Sequence, residues 1–214
     1  MSEPMSVDEL LIAHAAGKLP EPVGLAVATH LALCPAARAR YRLYESFGGA
    51  LLDDLEPAMM AGDAWDRLSK RLDDDDDPAP LPAAPPGQPL LPRPLRDYLP
   101  APLEQLRWRN YGPAAEIELR IPAPGYRTTL LRVRAGRKVP QHTHEGNELT
   151  VVLDGSFHDE TGHFYRGDLV IADGSLDHRP VADEDRDCLC LAVTDAPLRL
   201  TGRFGRLLNP FIRF

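Results

Sequence analysis

Cysteine is scarce in this chain: Cys34, Cys188 and Cys190 are the only three among 214 residues. So small and odd a count excludes a disulfide framework and leaves free thiols or ligands as the roles open to them. No apolar run approaches the roughly 20 residues that a membrane helix requires. The opening stretch "MSEPMSVDEL" has neither the basic region nor the apolar stretch of a secretory signal, so a cytoplasmic protein without membrane contact is expected. Positive charge is short as well, with 24 Lys and Arg against 32 Asp and Glu and a formal charge of -8. Sequence-independent nucleic-acid binding needs surplus cations to displace counterions from phosphates, so direct nucleic-acid contact is not expected. A basic protein partner stays open.

Proline, by contrast, is about twice as frequent as in an average domain, with 22 residues strongly clustered. The cluster divides the chain. Residues 1–72 read as helices, 73–94 as an acidic and proline-rich linker, and 95–214 as a β domain. "SVDEL" places Ser6 three residues before Glu9, a capping box opening a first helix that Gly17 closes. "VGLAVATHLALC" predicts a second helix with His30 and Cys34 four apart on one face, and Pro35 suits the first turn of a third, "PAARARYRLYESFG". "AWDRLSKRL" predicts a fourth. The linker run "DDDDDPAPLPAAPPGQPLLPRP" repels itself and favours extended polyproline geometry, so the two halves are expected to be tethered rather than fused.

Past residue 95 the texture becomes short β-branched or apolar runs, "EIELRI", "TTLLRVRA", "ELTVVLDG", "SFHDE", "GDLVIA", "CLCLAVT" and "LRL", punctuated by turns such as "DGS" and "ETG". Many short strands without a long helix predict a sandwich or barrel. The fold class is therefore α+β and multidomain, with a small helical bundle before the β domain.

His142 and His144 are two apart, so in a strand both imidazoles leave the same face. Glu148 shares that parity across a turn at "EGN", and His178 in "GSLDHRP" offers a fourth donor from elsewhere in the chain. Three imidazoles and a carboxylate suit divalent zinc, iron, manganese, nickel or copper. A bare H-x-H pair would favour a solvated or hydrogen-bonded reading, but Gly136, His142, His144, Glu148 and Gly155 fit G-x5-H-x-H-x3-E-x6-G. This spacing resembles the first motif of the cupin superfamily. The second, G-x5-P-x-G-x2-H-x3-N, is met by Gly167 and His178, with Asp173, Ser175 and Ala182 at the Pro, Gly and Asn positions. The resemblance implies a double-stranded β-barrel with His142, His144, Glu148 and His178 pointing inward at one metal. His158 and His163 flank a hairpin turn, "DETG", and read as surface residues, as does Glu145. Cys188 and Cys190 share one face of a strand and read as small buried apolar side chains.

The order helical module, acidic linker, cupin barrel resembles the ChrR-type anti-sigma factors, along with "AAGKLPE", "VATHLALC", "LRWRNYG", "DCLCLAVTDAPLRL" and "NPFIRF". The resemblance implies a cytoplasmic regulator that holds an extracytoplasmic-function sigma factor through its helices. It further implies a barrel holding zinc, with Fe2+ or Mn2+ the alternatives, and a response to singlet oxygen or organic peroxide. That family's helical zinc site uses an early His and H-x3-C-x2-C. Here His30 and Cys34 remain, Ala37 occupies the second cysteine position, and "MSEPMSVD" has no histidine. His14, one helix away, belongs to no family motif. The competing reading is a metal-dependent cupin enzyme, a dioxygenase or isomerase, although no separate general acid or base is placed by any motif.

Overall fold

Both halves of the capping box form at the start of α1 (Val7–Ala15): the Glu9 N–H donates to Ser6 Oγ at 3.2 Å, and Glu9 Oε2 accepts from the Ser6 N–H at 2.6 Å. The computed structural model describes residues 5–73 and 90–202. Most of the proline-rich run and the closing "NPFIRF" lie outside the described residues. Helices α2 (Glu21–Leu33), α3 (Pro35–Asp53) and α4 (Ala64–Asp73) follow, then the short α5 (Arg93–Arg96). The strands are β1 (Arg109–Tyr111), β2 (Ala114–Leu119), β3 (Arg127–Val133), β4 (His142–His144), β5 (Glu148–Asp154), β6 (Ser156–Asp159), β7 (Gly162–Tyr165), β8 (Leu169–Ala172), β9 (Val181–Ala182), β10 (Cys188–Thr194) and β11 (Leu198–Leu200).

The strands make two antiparallel layers. One has the order β1-β2-β3-β10-β5-β8. The other is assembled from β11-β4 and β9-β6-β7, joined where residues 137–142 run against 178–182. There His142 and His178 exchange N–H···O bonds of 3.0 Å, and the Val139 N–H donates to the Pro180 carbonyl at 2.8 Å. The chain crosses from the first layer to the second at Gly155, between β5 and β6. Its φ is 67°, and a Cβ there would sit 2.5 Å from the Asp187 carbonyl, so only glycine makes this corner. The result is a helical N-terminal segment followed by a cupin-like double-stranded barrel.

The helices are docked on the barrel, which corrects the expectation of a tether. Helix α2 buries Val23, Leu25, Ala26, Val27, Thr29, His30 and Leu31, spread around most of its circumference. A helix apolar all round must be covered on all sides. Helices α1 and α3 cover one side of α2, while β5, β8 and β10 cover the other. Leu25, Val27, Leu95, Leu149, Val151, Leu153, Leu191 and Val193 belong to one continuous apolar cluster. Leu91 and Leu95, at the end of the proline-rich region, are part of the same seam. This double burial explains why "ELTVVLD" and "CLCLAVT" are continuous apolar runs: Leu149, Val151 and Leu153 face the helix, while Val152 and Cys190 face the barrel interior.

Candidate metal centre

Strand β4 supplies His142 and His144 from one face, the turn at 145–147 re-aims the chain, and β5 opens with Glu148. His178 arrives from the segment before β9, held against His142 by the paired backbone bonds. The three histidines are about 5% exposed or less, and Glu148 is partly buried. One donor atom from each of the four lies within 4.8 Å of every other. His142 Nε2 is 3.2 Å from His178 Nε2, and His144 Nε2 is 3.3 Å from both His178 Nε2 and Glu148 Oε2. In a tetrahedron the edge is about 1.63 times the centre-to-corner distance, so these edges correspond to roughly 2.0 Å, the zinc–nitrogen bond length.

Proton positions make the case for a cation stronger. His178 Nδ1 lies 2.7 Å from Asp159 Oδ2, and His142 Nδ1 lies 2.8 Å from the Pro140 carbonyl. Neither oxygen has a proton to give, so each Nδ1–H donates outward and each Nε2 is aimed at the centre, where it offers a lone pair whenever the ring is neutral. Two lone pairs 3.2 Å apart repel unless a cation lies between them. Protonation is an expensive alternative, because burial lowers His142 to about 4 despite the Pro140 hydrogen bond. His144 is also lowered to about 4, by burial and then by His142 and His178 beside it. Burial pushes the Glu148 carboxyl up. Neutral imidazoles and a carboxylate short of a counter-charge fit a divalent ion, and the four side chains could hold one.

Asp159, which sequence reasoning did not single out, supports His178 from behind. Its side chain is fully buried and takes three hydrogen bonds: Thr161 N–H at 2.7 Å, Thr161 Oγ1 at 2.6 Å and His178 Nδ1 at 2.7 Å. Burial pushes its carboxyl up, but the Thr161 and His178 bonds outweigh this and hold it below the usual range. Asp159 shares strand parity with the buried Phe157, which marks its face as inward. Asp159→Asn is expected to weaken ion retention about 10- to 100-fold in competition with a chromophoric chelator. An unchanged affinity would separate Asp159 from the centre.

The turn before His178 keeps its shape by different chemistry from the motif's Pro and Gly: Asp173 Oδ1 accepts from the Ser175 N–H at 2.8 Å and from Ser175 Oγ at 2.5 Å, an Asx turn. Glu145 is exposed, and His158 and His163 flank the β6–β7 turn at the surface. Cys188 and Cys190 are buried free thiols with Sγ atoms 3.6 Å apart, and the contact with Cys188, together with burial, pushes the Cys190 thiol up.

His30 and Cys34 are not gathered with a third ligating side chain among the described residues. Cys34 lies at the junction of α2 and α3, with φ −107° and ψ 104°, and its N–H still donates to the His30 carbonyl at 2.8 Å. His30 Nδ1 lies 2.6 Å from the carbonyl oxygen of Gly167, on the barrel. Gly167 has φ 97°, and a Cβ there would press on Leu33 at 3.3 Å, so helix and barrel meet through a glycine. Ala37, at the second cysteine position, is fully buried in the shared apolar cluster. His14 packs against Tyr41, ring centroids 5.5 Å apart.

Helices seated on a double-stranded barrel with three histidines and a glutamate turned inward define a cupin-like architecture, and residues 101–197 match the ChrR cupin-like domain. The anti-sigma-E factor ChrR of Cereibacter sphaeroides is 42% identical over 208 residues, covering 96% of this chain and 96% of that protein. A crystal structure of Rhodobacter sphaeroides SigE in complex with the anti-sigma ChrR aligns with a TM-score of 0.75 at 40% identity, covering 91% of this chain and 100% of that one. The chain belongs to the ChrR family of anti-sigma factors. Among the described residues no helix is long and apolar enough to cross a membrane.

Proposed function

We propose that this chain is a cytoplasmic anti-sigma factor that binds an extracytoplasmic-function sigma factor through the uncovered faces of α3 and α4. The observation that carries the reading is a ladder of apolar side chains left exposed among the described residues. Leu43, Phe47, Leu51 and Leu55 recur every four residues along and just past α3 and are 55%, 62%, 71% and 65% exposed. Trp65, Leu68 and Leu72 repeat the pattern on α4, where no residue from Ala64 to Leu72 is buried. An amphipathic helix normally buries its apolar stripe, and a stripe left open on this scale marks a protein interface. The end-to-end likeness to a chain crystallised with a sigma factor supports the choice of partner. The net charge of -8 suits a partner carrying DNA-binding cations.

The barrel holds a divalent ion, zinc in this reading, with His142, His144, Glu148 and His178 as its ligands, and senses an oxidative signal such as singlet oxygen or organic peroxide. Strand β5 supplies the route to the helices. Its first residue is the ligand Glu148, and Leu149, Val151 and Leu153 on its other face pack in the cluster shared with α2. A change of coordination that moves β5 therefore moves the seat of α2.

The test is reconstitution of the full chain with an extracytoplasmic-function sigma factor encoded near it. A stable complex that dissociates on exposure to an organic hydroperoxide or singlet oxygen is expected. Absence of any complex, with turnover of a dicarbonyl substrate by iron-loaded protein, would favour the enzyme reading.

A further inference from the structure

We propose that the outer face of the β6–β7–β9 sheet carries a second, exchangeable site for a first-row divalent transition metal, built from His158, His163 and Asp183. His158 and His163 are direct cross-strand partners on the β6–β7 hairpin, so both imidazoles leave the same face, with ring centroids 5.6 Å apart. Asp183 follows β9, the other neighbour of β6, and its N–H donates to the Ser156 carbonyl at 3.1 Å. That register sets its carboxylate across the pair. Oδ1 lies 3.0 Å from His158 Nδ1 and Oδ2 lies 2.5 Å from His163 Nε2. One donor atom from each of the three residues lies within 4.8 Å of the others.

In this structure the trio is hydrogen-bonded, and a cation would take the place of the protons that His158 and His163 share with Asp183. Ser156 Oγ donates to Asp183 Oδ2 at 2.5 Å and offers a further oxygen at the same point. Tyr165 OH is 3.1 Å from His163 Nδ1, and its ring stacks on the imidazole at 4.4 Å. With an ion on Nε2, the Nδ1–H donates to the tyrosine oxygen, the outer support that ligating histidines usually have. Hydrogen bonds from Ser156, His163 and His158 hold the Asp183 carboxyl near 2 against some desolvation, so it stays anionic near neutral pH. Two nitrogens and one carboxylate suit zinc, copper or nickel over calcium or magnesium. The side chains of His158 and His163 are 50% and 43% exposed, which leaves open positions for water and allows exchange.

This site is separate from the barrel centre. Strand alternation sends Ser156 and His158 outward while Phe157 and Asp159 point in, so one hairpin serves an inner donor set with Asp159 and an outer one with His158. The outer face belongs to the layer that the helices do not cover.

Equilibrium dialysis of the full chain against zinc chloride tests the proposal, with metal analysis of wild type, His163→Gln and Asp183→Asn. The expected result is that wild type takes up one more ion per chain than either variant, while all three keep the ion retained through purification. That retained ion doubles as the control for folding. Histidine-selective NMR during a Cu2+ titration should broaden His158 and His163 first, and Asp183→Asn should shift that broadening to about tenfold higher metal or more. Equal zinc uptake by wild type and both variants, or broadening that spares His158 and His163, would overturn the proposal.

Discussion

A chain with alanine at both His142 and His178 is expected to purify without its barrel metal. The two rings supply two of the four convergent donors, and they are the pair whose bare Nε2 atoms face each other at 3.2 Å. A structural site is normally closed by four ligands, so the two left behind retain an ion only weakly. Metal binding to a folded site is also folding free energy, on the order of 10 kcal/mol for structural zinc, so a large fall in thermal midpoint should accompany the loss. Alanine also removes the lone-pair conflict, so chelator treatment should destabilise wild type while leaving the double variant unmoved. Metal analysis of the purified proteins and melts with and without chelator read the outcome. Unchanged stoichiometry in the double variant would remove the ligand assignment.

Aspartate at both Phe47 and Leu51 is expected to abolish capture of the sigma factor. Central apolar anchors of an interface contribute about 2 kcal/mol or more each, and burying two carboxylates adds desolvation cost, so a roughly thousandfold loss of affinity follows. Stability should scarcely change, within about 0.5 kcal/mol, because both side chains already face solvent. The contrast with α2 is sharp: Val27 is fully buried in the apolar cluster shared with the barrel, and aspartate there would unfold the docked helices. Calorimetric titration with the sigma factor, alongside a thermal melt, checks the pair. Wild-type affinity in the double variant would place the interface elsewhere.

The barrel donors were legible because their signal is local. Strand parity puts His142 and His144 on one face, while Glu148, beyond the turn at 145–147, and His178 were singled out by the motif spacing. Asp159 was harder to read: its role depends on His178, nineteen positions later, and no spacing rule links a hairpin residue to that partner. His158, His163 and Asp183 were obscure for the same reason. The hairpin turn announces the first two, but Asp183 joins them only through the pairing of β9 with β6. His30 and Cys34 went the other way. Their i,i+4 spacing is a local signal, but further donors could join them only through tertiary contacts, and none does among the described residues.

Local chemistry, then, was enough to determine the capped first helix, the run of short strands and the inward parity of the histidine pair, because each depends on neighbours within a turn or a strand. Tertiary structure alone decided that α2 seats on the barrel, that His30 points to Gly167, and that Asp159 reaches His178. Those outcomes rest on contacts between residues far apart in the chain, such as the 137 positions between His30 and Gly167, and only the closed sheet brings such partners together.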